Sequence, residues 1–194
     1  ALRAELERVL DEALDGSQHV LTIFASHDLA LPALRDIASQ RHRLHIELRF
    51  AGSVDALQAL SEGRCLVAGF HVPPLDGGSP LFAKAMKPRL KPGLHKLIGC
   101  LRRAQGLMVR PGNPLQLHSL ADVAALRARF INRQAGSGTR LVMDHLLQTQ
   151  HIKNASILGY DSHAEDSHVA LAAAIASGQG DVGPGIEAAA RQFG

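Results

Sequence analysis

The fold class predicted is α/β in two lobes, each a mostly parallel sheet flanked by helices. Three observations in the 194 residues predict it. Strand-like and helix-like runs alternate at short spacing, a proline-rich stretch and a long crossing segment interrupt them, and the alternation then resumes. Strands that alternate with helices at this spacing are joined by right-handed crossovers and lie mainly parallel.

Leu2, Leu6, Val9, Leu10 and Leu14 recur at helical spacing and stop at Asp15-Gly16, which predicts an entry or linker helix over residues 1–16. The first lobe is expected over 17–104. His19 to Ala25 reads as a strand, Ser26-His27-Asp28 as a turn and Leu29 to Gln40 as a helix. Leu44 to Ala51 alternates like a strand, Gly52-Ser53 turns, Val54 to Ser61 is a short helix ending at Gly63, and Cys65 to Val72 is a third strand, completing βαβαβ. Pro73 to Pro92 holds five prolines and Gly77-Gly78, and reads as an irregular surface excursion. Leu94 to Val109, extended and apolar around Arg102 and Arg103, crosses into a second lobe expected over 105–184.

Pro111 to Pro114 makes a turn. The cycle then resumes with a helix from Ser119 to Arg127, a strand from Arg129 to Asn132, a Gly-rich turn from Ala135 to Gly138 and a helix from Thr139 to about Gln150. Ser156 to Tyr160 reads as a strand, Asp166 to Ala176 as a helix stopped by Ser177-Gly178, and Asp181 to Ile186 as a Gly-rich strand. Glu187 starts a last helix, and residues 185–194 are candidates to close back on the first lobe.

Composition narrows the functions. Hydrophobic residues make up 46% of the chain, enough to bury the cores of two small lobes, and a net charge of +3 with scattered Lys and Arg forms no basic stripe for nucleic acid. Six Phe, one Tyr and no Trp leave little for base stacking, so a ligand is held mainly by hydrogen bonds. No apolar run reaches the length of a membrane span. Cys65 and Cys100 lie in apolar runs without a CxxC pattern and read as buried thiols, which favours a cytoplasmic setting. The start carries no intact signal peptide. Opening on Ala1 also suits a fragment, or a periplasmic protein whose signal has been removed.

Three strand-to-helix turns carry small hydroxyl residues: Ser26 before Asp28, Gly52-Ser53, and Gly136-Ser137-Gly138-Thr139. A helix N-terminus leaves N–H groups unpaired and carries partial positive charge, so each turn is a potential anion cradle as well as an ordinary cap. In open α/β sheets ligands gather at the carboxyl ends of strands, where all three turns lie. Arg133 and Arg140 flank the third turn and could grip an oxyanion bidentately. The turn lacks the GxxxxGK[ST] pattern of a P-loop, and no GxGxxG opens the first helix.

His163, Glu165, Asp166 and His168 invite a metal reading, yet match neither the zincin nor the zinc-deaminase spacing. Capping of the Asp166 helix or a supporting role for His168 is preferred, and no metal or cofactor is expected. Asp28 reads as a first-turn acid that complements its helix dipole. No Ser lies in a GxSxG elbow.

Gln105 to Pro114, Phe130 to Arg140 with its NRQxGSGTR run, Gly159-Tyr160 with Glu165 to His168, and Gly183 to Ala190 resemble the molybdate-binding-protein-like sensor domains of the periplasmic-binding-protein superfamily. The resemblance spans roughly residues 20 to 194. It implies a type II two-lobed fold closing on a small anion, molybdate or tungstate first, held largely by neutral donors from helix N-termini. Ser26, Ser53, Ser137 and Thr139 match the family's positions; His27, Arg133, Gly138, Arg140, Tyr160, Ser167 and His168 complete the expected site. The opening motif departs, with Ala25-Ser-His-Asp28 where Gly-Ser-His-Asp is expected. Such domains are commonly fused to a DNA-binding helix-turn-helix or to molybdopterin-biosynthesis modules.

The expected function is therefore that of a ligand sensor, the effector domain of a transcriptional regulator, with a small anion as partner. An N-terminal DNA-binding domain and a homodimer are the macromolecular expectations, with no direct contact to nucleic acid or membrane by this domain. The alternatives are an enzyme on the same fold, in which His27 or His168 moves a proton for a carboxylate or phosphate held by Arg133 and Arg140, and an extracytoplasmic transport receptor.

Overall fold

The computed structural model describes residues 20–72 and 80–194. The expected helix over 1–16 and the first part of the proline-rich stretch lie outside the described residues.

The first lobe is built on β1 (Leu21–Ala25), α1 (Ala30–His42), β2 (Ile46–Phe50), α2 (Ser53–Ser61) and β3 (Val67–Gly69). The three strands are parallel in the order β2-β1-β3, with Leu21 opposite Ile46 and Ile23 opposite Val67. Leu21, Ile23 and Ala25 point alternately to one face, as the period of two requires, and pack with Ala38 of α1 and Leu44. This is the βαβαβ unit expected from the sequence.

The proline-rich stretch is more regular than its composition predicts. It contains a helix, α3 (Pro80–Met86), and a 3-10 turn at Lys87–Arg89. Proline is compatible with a first helical position, where its missing N–H breaks no intrahelical bond, so Pro80 opens α3. Met86 is buried against Leu57 of α2, and this supplies the packing that proline counting cannot see. Residues 94–104 then run over the surface without regular structure, exposing Leu94, Leu97, Ile98 and Leu101. Cys100, expected to be buried, is exposed there; Cys65 is buried as expected, and burial pushes its thiol up.

The second lobe consists of β4 (Gln105–Val109), α4 (Leu120–Ala125), β5 (Asn132–Arg133), α5 (Gly138–Thr149), β6 (Ala164–Glu165), α6 (His168–Ala176), β7 (Val182–Ile186) and α7 (Glu187–Ala190). β4 and β7 pair antiparallel, β5 and β6 pair parallel, and a bridge from Phe130 to Val182 ties the two pairs together. One core gathers Leu120, Val123, Phe130, Met143, Leu147, Tyr160 and Val182, and a second gathers Met108, Ile131, Leu171, Ile175 and Ala189. α7 therefore packs within the second lobe, against α6, β4 and β7, although residues 185–194 were candidates for a return to the first.

Ser156 to Tyr160, expected as a strand, is a 3-10 turn at Asn154–Ser156 followed by a bend. Gly159 takes a left-handed φ of +93°, and the Tyr160 N–H closes onto the Ile157 carbonyl, so the backbone cannot stay extended. Only Leu158 keeps a strand-like bond, accepting from Phe130 N at 2.8 Å.

Candidate functional site

Two helix N-termini meet where the lobes touch. Gly52 ends the turn after β2 in an extended conformation, and Ser53 begins α2, fully buried. Across from it, Ser137 caps α5 by accepting from Arg140 N at 3.1 Å. Val54 N donates to Gly136 O at 3.3 Å, which links the two helix starts directly. A Cβ on Gly138 would lie 3.1 Å from both Ser53 Oγ and His71 Cβ, so this approach depends on glycine. Leu57 of α2 and Met86 pack with Leu141 and Val142 of α5, giving the same junction an apolar side.

Beside this junction lies a cluster of buried charge and unsatisfied polarity. Ser26 follows β1 and is only 6% exposed, and its Oγ has no partner among the described residues. His27 stacks on Phe50, ring centroids 3.8 Å apart. Asp28 caps α1 by accepting from Ala30 N at 2.9 Å, and its second oxygen accepts from Arg103 Nη1 at 2.5 Å. Arg103 also contacts His71 Nε2, while its own Nε is buried without a partner among the described residues. The His71 N–H donates to Ser53 Oγ at 3.3 Å, which joins the cluster to the start of α2.

Arg133 closes the cluster from the second lobe. It is 1% exposed, and its Nε and Nη2 donate to the carbonyls of Glu165 at 3.1 Å and Asp166 at 2.6 Å. Carbonyls satisfy hydrogen bonds but do not cancel a full charge; among the described residues no carboxylate pairs directly with this guanidinium, and the Asp166 and Glu165 charges only partly offset its burial. Burial first, and the Arg103 charge second, lower its pKa to about 10, so it remains a cation at neutral pH.

The histidines respond in the opposite sense. Burial, then the Arg103 charge, lowers the pKa of His71 to about 4. Burial, then Arg133 and Arg103, lowers that of His168 to about 2. His168 starts α6, is 3% exposed, and its Nδ1 is buried without a partner among the described residues. Both rings are neutral at physiological pH, so the charge of the cluster rests on Arg133 and on the Arg103–Asp28 pair.

The expected site residues divide into three groups, with Thr139 and Ser167 outside them. Ser26, His27, Arg133 and His168 belong to the charged cluster, and Ser53, Ser137 and Gly138 form the lobe junction. Thr139 bonds to the start of β4 within the second lobe, accepting from Gln105 Nε2 at 3.1 Å. Ser167 caps α6, accepting from Ala170 N at 3.0 Å. Arg140 and Tyr160 belong to a different network: the Tyr160 hydroxyl donates to Asp144 at 2.7 Å, and Arg140 pairs with Asp144 at 3.1 Å and Asp161 at 2.5 Å. The Arg140 guanidinium lies 4.3 Å from the Tyr160 ring centre. Among the described residues no group of three or more His, Cys, Asp or Glu side chains is gathered to hold a metal, and no helix is long and apolar enough to cross a membrane.

Arg103 and His71 were not among the expected site residues. Arg103 had left a signal, a charge inside an apolar crossing run, which needs a buried partner. His71 left none, because its role follows from standing between Arg103 and Ser53.

Residues 34–194 match the family model of a PBP superfamily domain. The chain belongs to the PBP superfamily. It is 32% identical over 142 residues to the uncharacterized protein YvgK of Bacillus subtilis (strain 168), covering 73% of this chain and 46% of that one. Among solved structures it is similar to PhnD1 from Prochlorococcus marinus (MIT 9301) in complex with methylphosphonate, with a TM-score of 0.58 and 16% identity, over 91% of this chain and 66% of that one. It is also similar to the regulatory domain of Synechocystis PCC6803 CcmR in complex with 2-PG, with a TM-score of 0.54 and 14% identity, over 87% of this chain and 72% of that one. The chain thus spans about half the length of YvgK and just under two thirds of PhnD1. At these identities the two structures share the fold with this PBP-superfamily domain, a two-lobed α/β architecture.

Proposed function

We propose that this domain binds a small tetrahedral oxyanion between its lobes, and that binding rather than turnover is its activity. The observation that carries the reading is the buried Arg133 guanidinium, held by carbonyls rather than by a directly paired carboxylate, together with Ser26 Oγ and Arg103 Nε, which are buried without partners among the described residues. Buried donors without acceptors are costly, and an anion satisfies them together. The donors come from the first lobe, the crossing segment and the second lobe, so a ligand that touches all three favours the closed form. The methylphosphonate complex of PhnD1 and the CcmR regulatory domain in complex with 2-PG support, at the level of the fold, a cleft for a small ligand. As a sensor, the domain would pass lobe closure to an attached or partnering domain such as a DNA-binding module.

Molybdate and tungstate remain within this class, but the cluster differs from the neutral-donor cradle that favoured them, because two guanidiniums dominate it. Isothermal titration of phosphate-free protein with molybdate, tungstate, sulfate and phosphate tests the reading. Saturable binding of at least one anion, weakened tenfold or more by Arg133→Ala and less by Arg133→Lys, is expected. If none of the four binds, the oxyanion reading is wrong.

A further inference from the structure

The donors of the cleft suit any oxyanion, whereas its acceptors discriminate between oxyanions. Sulfate, molybdate and tungstate carry no proton at neutral pH and can only accept hydrogen bonds. Phosphate keeps at least one proton, and an alkylphosphonate keeps one until its second ionisation. A lone pair in the cleft therefore repels the first group and can receive a P–OH from the second.

His168 supplies such a lone pair. Its Nδ1 is buried and unpartnered at the start of α6. The groups that act on the ring come from four other segments: Arg133 on β5, Arg103 in the crossing segment, His71 after β3 and His27 after β1. Two are guanidiniums, which donate only, and their positive field favours the neutral ring, which carries one lone pair. His71 cannot take this role, because its Nε2 lone pair already faces Arg103, which leaves the N–H on its Nδ1. Asp28 has each oxygen engaged, one by Ala30 N and one by Arg103 Nη1. Among the described residues of the cluster, His168 Nδ1 and the Ser26 hydroxyl are the unpartnered atoms able to accept, and of the two the hydroxyl can also donate to an ionised oxygen.

We infer that the cleft selects a tetrahedral oxyanion that still carries a proton, hydrogen phosphate or an alkylphosphonate monoanion, with its P–OH donated to His168 Nδ1 and its ionised oxygens on Ser26, Arg103 and Arg133. This inference rests on the oxyanion reading above. It makes His168 the residue that sets specificity and leaves the arginines to supply affinity.

The test is isothermal titration of the phosphate-free chain at about pH 6.5 with inorganic phosphate, ethylphosphonate, sulfate and molybdate. Phosphate is expected to bind at least tenfold tighter than sulfate or molybdate, and His168→Leu to bring that ratio within about threefold. Should the Leu variant fail to fold, the unmodified chain supplies the second measurement. At about pH 8.5, ethylphosphonate binding should take up close to one proton, read from its heat in buffers of different ionisation enthalpy. Sulfate or molybdate binding as tightly as phosphate, or ethylphosphonate binding without proton uptake, overturns the inference and leaves the oxyanion reading intact. Failure of all four anions to bind removes both.

Discussion

Arg103 reaches from the crossing segment to the Asp28 carboxylate at the start of α1, 2.5 Å away, with both side chains nearly nine-tenths buried. The pair neutralises one cleft guanidinium, whereas the other, Arg133, has no directly paired carboxylate among the described residues. It also ties the first βα turn to the segment that joins the lobes.

Removing one member of such a pair strands a buried charge. Asp28→Ala is expected to destabilise the domain by about 3 kcal/mol, with loss of the Ala30 N cap included. Combined with Arg103→Met it should cost less than Asp28→Ala alone, because the stranded cation is gone. Urea unfolding of the two single variants and the double variant measures the coupling, and simple additivity would show that the pair is too well solvated to matter.

His168 makes stability depend on pH in a defined direction. Its folded pKa of about 2 lies below the ordinary histidine value, so below about pH 6.5 the unfolded chain binds a proton that the folded chain refuses. Stability contributed by the neutral ring is therefore present above the unfolded pKa and is lost as pH falls, by roughly 1.5 kcal/mol between pH 6.5 and 5. His71 acts in the same direction. Unfolding midpoints of the native chain and His168→Gln should converge as pH falls across this window; parallel profiles would count against the depressed pKa.

The close approach of α2 and α5 is testable at Gly138. An alanine there places its Cβ 3.1 Å from Ser53 Oγ and His71 Cβ, so the lobes must shift apart by a few tenths of an ångström or more. Gly138→Ala is expected to cost about 1–2 kcal/mol and to weaken anion binding several-fold. Titration calorimetry alongside thermal unfolding separates the two effects, and unchanged affinity would place the binding cleft away from the junction.

Arg140 and Arg133 should behave differently despite their equal appearance in the sequence. Arg140→Ala loses the Asp144 and Asp161 pairs and the Tyr160 contact, which predicts about 1–2 kcal/mol of lost stability and anion affinity unchanged within threefold. A large loss of affinity in this variant would bring Arg140 into the site.

Periodicity was enough to read the βαβαβ unit, the cap Ser137 and the core helices, because each follows from local spacing and backbone hydrogen bonding; Ser167, expected as a ligand contact, is itself the cap of α6. Periodicity was also enough to bring Ser26, Ser53 and Ser137 to the carboxyl ends of strands, since that is a property of the α/β crossover. It misread Pro73 to Pro92 and Ser156 to Tyr160, where burial of Met86 and the left-handed Gly159 outweigh composition.

What only the tertiary structure decided is which polar groups share a dielectric environment. Arg133 and Arg140 are seven residues apart across one turn, yet one is buried against carbonyls and the other paired with carboxylates. Asp28 and Arg103 are 75 residues apart, yet in contact. Charge at a site depends on distance and burial, and neither is a function of separation along the chain.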